Sequence, residues 1–512
     1  MRLNLRALLR LSVFALMSTV IAASVSGCSP HGDAVISNKL SLNQGGSRDV
    51  AKAIQGLNVV DEDGKAIAGA QILIGTKLNA PFAGNFVTTD GTGHIDLPAA
   101  WTDAEPLTVA AKGFVRATFF GRMPGDTTLT IRHSAMGPEK FELSGETTGY
   151  GDIKDGIVEV GIMLPTFTRG QLSIFDPLSI INSDTDTMEV MGKSIEIPSN
   201  IAIPPQQQTY YFPLTFSKPK YRYQFNYPHT YKVSAAHVTI PTQDLVDSVQ
   251  GGLKVFKLLN KLTFVGGGMG NANVTSENTS LDIPINQTAF SPMVSVTAPK
   301  FASNQQMVTV ATEENAGIYT VTDAKVLASG ESTTLNAPSA RGAVIAVLRP
   351  IQQHETTTGP QNSIFSAVIS NNEGAMTRAP VDFLEAVKPP QVSNANINVI
   401  PPKKFHGIEP MMTYALLSKI ELIDHGKYKL EKKTPEWELY ASDWVANINL
   451  PTWPTADFYD DSGDDSNAEP KASSKRWETM FAGQYGANAT AILAGPQALE
   501  KVTHVTRSAV DL

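Results

Sequence analysis

The stretch that decides the fold is LNVVDEDG (57–64) followed by AIAGAQILI (66–74). Two apolar runs are joined by an acidic, glycine-containing turn, and the same order returns in VTTDGTGHIDL (87–97) and LTVAAKGF (107–114). Short apolar runs separated by Asp and Gly are typical of β-hairpins. Their repetition at short spacing predicts a β-sandwich.

The order of these pieces resembles the carboxypeptidase regulatory-like domain, a transthyretin-like β-sandwich, over residues 57–132. Domains of this family are non-catalytic modules of many exported proteins. The resemblance therefore implies a fold and a location outside the cytoplasm, and it implies no reaction. The positions that carry the resemblance lie in the turns and in the strands beside them: Asp61, Gly64, Ala70, Ile72, Thr89, Asp90, Gly93, Gly113 and Phe114.

The whole chain of 512 residues is long enough for several domains. Its 39 Gly and 32 Pro are spread along the chain, which favours many short strands over long helices. We predict a mainly β fold of tandem β-sandwich domains, transthyretin-like and immunoglobulin-like, with few short helices. The predicted segments are a signal peptide (1–27), a flexible tether (28–55), the regulatory-like sandwich (56–133), a β-rich domain with one helix candidate (134–290), an immunoglobulin-like sandwich (291–388) and a C-terminal β-rich domain (389–512).

The first 28 residues have the pattern of an export signal that ends at a lipid-attachment site. A basic start, MRLNLRALLR (1–10), precedes an apolar stretch too short to span a membrane. Val25-Ser26-Gly27-Cys28 then resembles the bacterial lipobox. In that family the cysteine thiol receives diacylglycerol, a peptidase cuts before the cysteine, here between Gly27 and Cys28, and the new terminus is usually acylated. The resemblance implies a lipoprotein held in a membrane by acyl chains such as palmitate on Cys28.

Cysteine usage supports the lipid anchor. Cys28 is the only cysteine of the chain, so it has no disulfide partner within the chain, although export would permit disulfides. Two or three acyl chains anchor a protein stably, because each buried methylene contributes about 0.8 kcal/mol. Ser29 stands where lipoproteins of the inner membrane carry Asp, which favours the outer membrane. The alternative is an ordinary secretory signal with a chance cysteine.

One strand-like tract is rich in aromatic residues. Its aromatic and polar residues alternate, and a period of two puts four rings on one face of a strand: Tyr221, Tyr223, Phe225 and Tyr227. Such a face most often packs in a core, and the alternative is a stacking platform for sugars such as cell-wall glycans. Further along, Asp244–Leu262 has the apolar spacing of a helix, although Gly251-Gly252 interrupts the pattern.

Two patterns could hold a metal ion. His406 and Glu409 form an HxxE pair of the kind that metallocarboxypeptidases complete with a later histidine, for which His504 is available. The pair arises readily by chance, and the chain after it is too short for the α/β catalytic domain of that family, so a surface histidine is the better interpretation. The acidic loop Asp457–Glu469 offers oxygen ligands for Ca²⁺. Asp465 stands where an EF-hand requires Gly, which favours a solvated loop.

The remaining motifs favour a binding protein over an enzyme. The sequence has no GxSxG elbow and no HExxH helix, and we predict no cofactor. A net charge of −8 disfavours nucleic acid as a partner, because phosphate binding needs clustered Lys and Arg. We predict a non-enzymatic, lipid-anchored protein of the bacterial cell envelope, at the outer membrane, that presents β-sandwiches to a protein or glycan partner as an adhesin or scaffold. The alternatives are an accessory subunit of an outer-membrane assembly or secretion machine, and an envelope hydrolase.

Overall fold

Almost all regular structure in the computed structural model is β-strand. The helices that lie wholly within the described residues are one short α-helix, α1 (Arg169–Ser173), and two 3₁₀ helices, Pro360–Ser363 and Pro496–Lys501, and residues 242–244 and 259 are also helical. The predicted mainly β fold with few short helices is confirmed. The structure describes residues 56–125, 127–134, 141–174, 184–190, 193–209, 214–244, 259–275, 277–285, 288–289, 292–336, 342–351, 359–371, 378–379, 382–393, 395–403, 407–424, 429–455, 475–486 and 495–512. Most of the helix candidate Asp244–Leu262 lies outside these residues.

The first sandwich follows the turn chemistry of the sequence. Its strands are β1 (Gly56–Val60), β2 (Gln71–Ile74), β3 (Phe86–Thr88), β4 (His94–Asp96), β5 (Glu105–Ala110), β6 (Arg116–Arg122) and β7 (Thr127–Thr130). In the predicted turn after β1, the Asp61 carboxylate accepts hydrogen bonds from the amides of Asp63 (2.9 Å) and Lys65 (2.8 Å). Gly64 completes that turn with a φ of 76°, which few other residues adopt. The second apolar run becomes strand only at Gln71.

The second sandwich is built from two facing sheets. Its strands are β8 (Phe141–Thr148), β9 (Ile157–Leu164), β10 (Thr185–Val190), β11 (Lys193–Pro198), β12 (Ile201–Gln208), β13 (Leu214–Lys218), β14 (Lys220–Phe225), β15 (His229–Pro241), β16 (Thr263–Val274), β17 (Asn278–Ser280), β18 (Ile283–Pro284) and β19 (Thr288–Ala289). One sheet has the order β13-β12-β9-β15-β16-β19, and the other has the order β14-β8-β17 with β18 beside β8, while β10 and β11 form a separate two-stranded sheet. Leu143 and Met163, from opposite sheets, meet in the core between them.

The rest of the chain supplies fourteen strands of very different lengths. They are β20 (Pro292–Thr297), β21 (Gln305–Asn315), β22 (Ile318–Leu327), β23 (Ser332–Asn336), β24 (Gly342–Pro350), β25 (Phe365–Asn371), β26 (Arg378–Ala379), β27 (Gln391–Val392), β28 (Asn396–Asn398), β29 (Ile408–Asp424), β30 (Lys429–Ser442), β31 (Asn447–Asn449), β32 (Lys475–Tyr485) and β33 (His504–Asp511). Two small sheets, β23-β20-β26 and β27-β28-β31, have no strand pairing with the long strands but pack against them.

A single sheet of twelve strands runs through three of the predicted segments. Its order is β22-β21-β24-β25-β33-β32-β29-β30-β6-β5-β2-β3. The first sandwich joins it through parallel pairing of β6 with β30, from Arg116 opposite Trp437 to Phe119 opposite Tyr440. The immunoglobulin-like segment joins it through β25 and β33. The predicted boundaries near residues 133 and 388 therefore fall between strands that share one sheet.

Both faces of the twelve-stranded sheet are covered. Along β29, Met412 and Tyr414 belong to the main core, whereas Ala415 and Leu417 belong to a second core under the sheet β27-β28-β31. Strands that are buried on both faces appear as continuous apolar runs in the sequence, as in β24. The main core also receives residues of β15 and β16, so the second sandwich packs on this sheet.

At β22, the edge strand of the large sheet, neighbouring segments bind the backbone groups that no further strand pairs with. Phe167, just before α1, exchanges backbone hydrogen bonds with Tyr319 of β22 (3.0 and 2.7 Å). Asn260 binds both backbone groups of Val326 through its side chain. Covered edges are protected from adding foreign strands. Among the described residues, no helix is long and apolar enough to cross a membrane.

Candidate functional site

The aromatic tract lies on β14, and its rings face the core of the second sandwich. Tyr221 is completely buried and donates a hydrogen bond to the carbonyl of Leu281 (2.5 Å). Phe225 is also buried and stacks on Tyr231 with ring centroids 3.8 Å apart. Tyr223 packs against the same core. The idea of a sugar platform is therefore wrong for this face, because the six-stranded sheet covers it.

Tyr227 lies beyond the end of β14, at the junction of the first and second sandwiches. Its ring stacks on His133 with centroids 4.2 Å apart, and His133 Nδ1 lies 2.8 Å from the Glu62 carboxylate. In the same junction His229 Nδ1 lies 3.4 Å from Asp63 Oδ2. Burial raises the pKa of Glu62, but the hydrogen bond and charge of His133 outweigh burial and bring that pKa below its usual value. Tyr227 thus joins two domains.

The most unusual feature of the structure is a group of buried charges on the main-core face of the twelve-stranded sheet. We call it the central charge cluster. It contains cations and carboxylates in equal number, and all but the exposed Asp511 are buried or half-buried: Arg132, Glu431, Lys433, Glu438, Arg476, Glu478, Arg507 and Asp511. Buried charges are tolerated only when each is paired and hydrogen-bonded. Every member of this cluster has such a partner.

The first arm of the cluster connects the first sandwich to β30. Arg132, which follows β7, forms an ion pair with Glu438. Tyr414 and Tyr440 both donate their hydroxyl hydrogens to the same carboxylate, at 2.8 and 2.9 Å. Burial raises the pKa of Tyr414, and the negative charge of Glu438 raises it further, so the phenol remains a donor. Both carboxylate oxygens of Glu438 therefore have hydrogen-bond partners.

The second arm is centred on Glu478 of β32. This carboxylate contacts Lys433 of β30 and Arg507 of β33, and it accepts a hydrogen bond from the Ser363 hydroxyl. Glu478 is 2 % exposed. Burial alone would raise its pKa, but Arg507 and Lys433 lower the pKa by more, so the carboxylate stays ionised in acid. Burial lowers the pKa of Lys433, and the contact with Glu478 opposes that effect.

The third arm ties the last strand into the sheet. The Arg476 guanidinium binds both oxygens of Glu431, at 2.8 and 2.9 Å, and its Nε donates to Asp511 near the C-terminus (2.5 Å). A planar guanidinium that binds a carboxylate through two parallel hydrogen bonds fixes orientation as well as distance. This arm sets the positions of β30, β32 and β33 relative to one another.

The cluster contains the residue types of a catalytic set, but its burial closes it to a substrate. Ser363, Lys433 and Glu478 correspond in type to a nucleophile, a base and an orienting carboxylate. Ser363 is completely buried and Lys433 is 4 % exposed. The three groups are hydrogen-bonded to one another, and Glu478 is also paired with Arg507. The arrangement is suited to holding strands of different segments together.

A second polar cluster lies inside the second sandwich. Glu159 of β9 and His237 of β15 contact each other, and the His237 ring lies edge-on to Tyr150 at 5.1 Å. The Tyr150 hydroxyl contacts the hydroxyl of Thr147. Burial raises the pKa of Tyr150 to about 12, so this phenol stays neutral. The Thr147 hydroxyl is thus hydrogen-bonded to a phenol, whereas activation of a hydroxyl as a nucleophile requires a general base such as an imidazole.

The residues of the HxxE pattern do not form a site in the described structure. Glu409 is exposed on β29, whereas His504 is buried on β33 with its Nδ1 2.8 Å from the Thr503 hydroxyl. His406 lies outside the described residues. Within the described part of the chain, no three His, Cys, Asp or Glu side chains converge as metal ligands. The acidic loop Asp457–Glu469 and the lipobox residues Gly27 and Cys28 also lie outside the described residues.

Buried His504 is expected to make the protein less stable in acid. Burial lowers the pKa of His504 to about 4, against the opposing charge of Asp382. The unfolded chain takes up a proton near pH 6.5, so the native state is favoured above that pH and loses this advantage as the pH falls toward 4. Between pH 7 and pH 5 the loss is about 2 kcal/mol.

The substitution His504→Gln tests this origin of the acid sensitivity. We expect the variant to lose about 2 kcal/mol less than the parent between the two pH values, as measured by urea unfolding. A packing cost of the substitution appears equally at both pH values and is therefore separable. An unchanged difference between pH 7 and pH 5 would contradict the assignment to His504.

Sequence reasoning missed the central charge cluster because its members resemble exposed residues. The run KLEKKTPEWELY (429–440) is rich in Lys and Glu, a composition typical of a strand in contact with water. The usable signal was in KRWETMFAG (475–483), where charges alternate with Trp477 and Phe481. Charges that alternate with large apolar residues inside a long apolar strand indicate that both faces are buried and that the charges have partners.

Comparison with known proteins leaves the family of the chain open. No family model matches the chain, and no curated protein matches it. Among solved structures, the major pilin subunit BcpA of Bacillus cereus and a variant of that pilin are each 12% identical to this chain. Each alignment covers 59% of this chain and 90% of the pilin chain, with a TM-score of 0.13. At that TM-score the similarity supports no conclusion about fold or function.

Proposed function

We propose that this chain is a non-enzymatic lipoprotein of the bacterial cell envelope that presents the surface of a rigid β body to a protein or glycan partner. The observation that carries the proposal is the twelve-stranded sheet, which joins strands of three segments into one body. A rigid body holds its loops in fixed positions, which lowers the entropy that these loops lose when a partner binds. The lipid anchor in this proposal depends on the lipobox that ends at Cys28.

The orientation of polar groups supports a binding role. The ionisable groups with the composition of catalytic sets, around Glu478 and around Glu159, are directed inward and are satisfied by one another. A catalytic group must instead reach a substrate within hydrogen-bond distance. Binding surfaces are therefore expected on the loops and outer faces of the sandwiches.

The lipid anchor is tested by metabolic labelling with an alkyne analogue of palmitate. We expect the parent chain to take up the label and the Cys28→Ala variant to take up none, because the acyl chains need the cysteine as their attachment point. Ser47→Ala, a change within the tether, is the matched control and should leave labelling intact. Label on the Cys28→Ala chain, or a mature parent chain that retains residues 1–27, would refute the anchor.

A further inference from the structure

A short extended segment of the C-terminal part crosses to the first sandwich. This segment, Pro451–Thr455, is here called the strap. It follows β31 and is followed by residues 456–474, which the structure does not describe. The amide of Thr452 donates to the carbonyl of Thr76 (2.7 Å), and the hydroxyl of Thr455 donates to the side chain of Gln71 (3.2 Å). The strap thus lies on the outer face of the sheet formed by β2, β3, β5 and β6.

The side chain that holds the strap is Trp453. It is 4 % exposed and packs on Leu73 and Ala110 in a small core of their own, separate from the larger cores. The Phe86 ring meets it edge to face with centroids 5.5 Å apart. The guanidinium of Arg116 lies 5.4 Å from its ring centroid, within the range of a cation–π interaction. This face therefore contains a socket for one large aromatic ring.

The strap is held less completely than the strands around it. Within the described residues, the indole Nε1 of Trp453 is buried and has no hydrogen-bond partner, a defect that costs stability. Pro451 and Pro454 flank the tryptophan and supply no amide hydrogens to the contact. Beyond the hydrogen bonds of Thr452 and Thr455, the strap is therefore attached through the ring of Trp453. Prolines also keep a segment extended before it binds, which reduces the entropy lost on docking.

We propose that this outer face is a docking site for an extended polypeptide segment of another protein, one that carries a tryptophan between prolines, and that the strap fills the site in cis as a displaceable occupant. Leu73, Ala110, Phe86 and Arg116 provide the socket for the incoming ring. The carbonyl of Thr76 and the side chain of Gln71 accept its flanking hydrogen bonds. The site belongs to the protein body, so the inference holds whether or not Cys28 carries lipid.

The probe is a fluorescent peptide with the sequence of residues 449–455, NLPTWPT, added to the full chain. The substitution Trp453→Ala empties the socket, so we expect this variant to bind the peptide at least tenfold more tightly than the parent, as measured by fluorescence anisotropy. A peptide with alanine in place of its tryptophan should not bind. Trp444→Ala, which removes a half-buried tryptophan elsewhere, is the control and should bind like the parent. A folded Trp453→Ala chain without this gain overturns the proposal.

Hydrogen exchange of the parent chain provides a test that needs no variant. If the strap is displaceable, the amide of Thr452 should exchange at least 100-fold faster than the paired amides of β29, and excess peptide should increase its rate further. Exchange of Thr452 as slow as that of β29, unaffected by the peptide, would show a permanent attachment and overturn the proposal. This result decides the matter if the Trp453→Ala chain does not fold.

Discussion

Replacing Glu478 by glutamine is expected to destabilise the protein by about 3–5 kcal/mol, because it removes one member of a buried ion pair and leaves the others uncompensated. Lys433 and Arg507 would lose their shared negative charge, and Lys433 is 4 % exposed. Glutamine keeps the shape of the side chain, so a cavity contributes little. The effect therefore reports the charge itself.

The measurement is the midpoint of urea unfolding, compared between variants with similar dependence on urea. Glu421→Gln is the matched control, since Glu421 forms an exposed ion pair with Lys419 on β29 (2.9 Å) and its side chain is 47% exposed. Exposed pairs contribute about 0–1 kcal/mol, so this control should change little. Equal effects of the two substitutions would contradict the role of the central charge cluster.

Turns were predictable from the sequence because the hydrogen bonds that hold them join residues only a few positions apart. The turns around Gly64 and Gly93 form where Asp precedes Gly, and the Asp90 side chain accepts from the amides of Thr92 (2.8 Å) and His94 (3.0 Å) much as Asp61 does in its own turn. A side chain that binds amides a few residues ahead needs nothing from the rest of the protein. Such turns are visible in a sequence.

The pairing of distant strands was not predictable in the same way. Arg116 lies opposite Trp437 although more than three hundred residues separate them, and no periodicity in either strand specifies the other. Strand order within a sheet depends on which apolar faces meet, a property of the whole chain. The segment boundaries derived from composition therefore do not reveal that three segments share one sheet.

The aromatic tract shows what the alternation of aromatic and polar residues can predict and what it cannot. Tyr221, Tyr223 and Phe225 do share one face of β14, as their alternation predicts. Alternation cannot say whether that face meets water or another sheet, because both solutions have a period of two. Only the position of the six-stranded sheet decides it. Tyr227 leaves the pattern because the strand has already ended.

Replacing Trp437 by alanine is expected to destabilise the protein by about 3–5 kcal/mol and to loosen the first sandwich from the C-terminal strands. Trp437 is 2 % exposed, and its ring centroid lies 6.1 Å from that of Trp477. Its indole nitrogen donates to the Thr118 hydroxyl of β6 (2.9 Å), and the Arg116 guanidinium lies 5.0 Å from its ring. The substitution therefore empties the core directly beside the pairing of β6 with β30.

Hydrogen exchange separates loss of this junction from a general loss of stability. In Trp437→Ala, amides of β5 and β6 should become less protected than amides of β21 and β24, which lie far from the junction in the same sheet. Trp437→Phe keeps one aromatic ring but loses the hydrogen bond and part of the buried indole, so it should cost about 1–2 kcal/mol, less than the alanine substitution. Tyr485→Ala, at a side chain that is 69% exposed, should stay within about 0.5 kcal/mol of the parent. If Trp437→Ala lowers the protection of all four strands equally, β5 and β6 open as one unit with β21 and β24, and the pairing of β6 with β30 is not the weak point of the sheet.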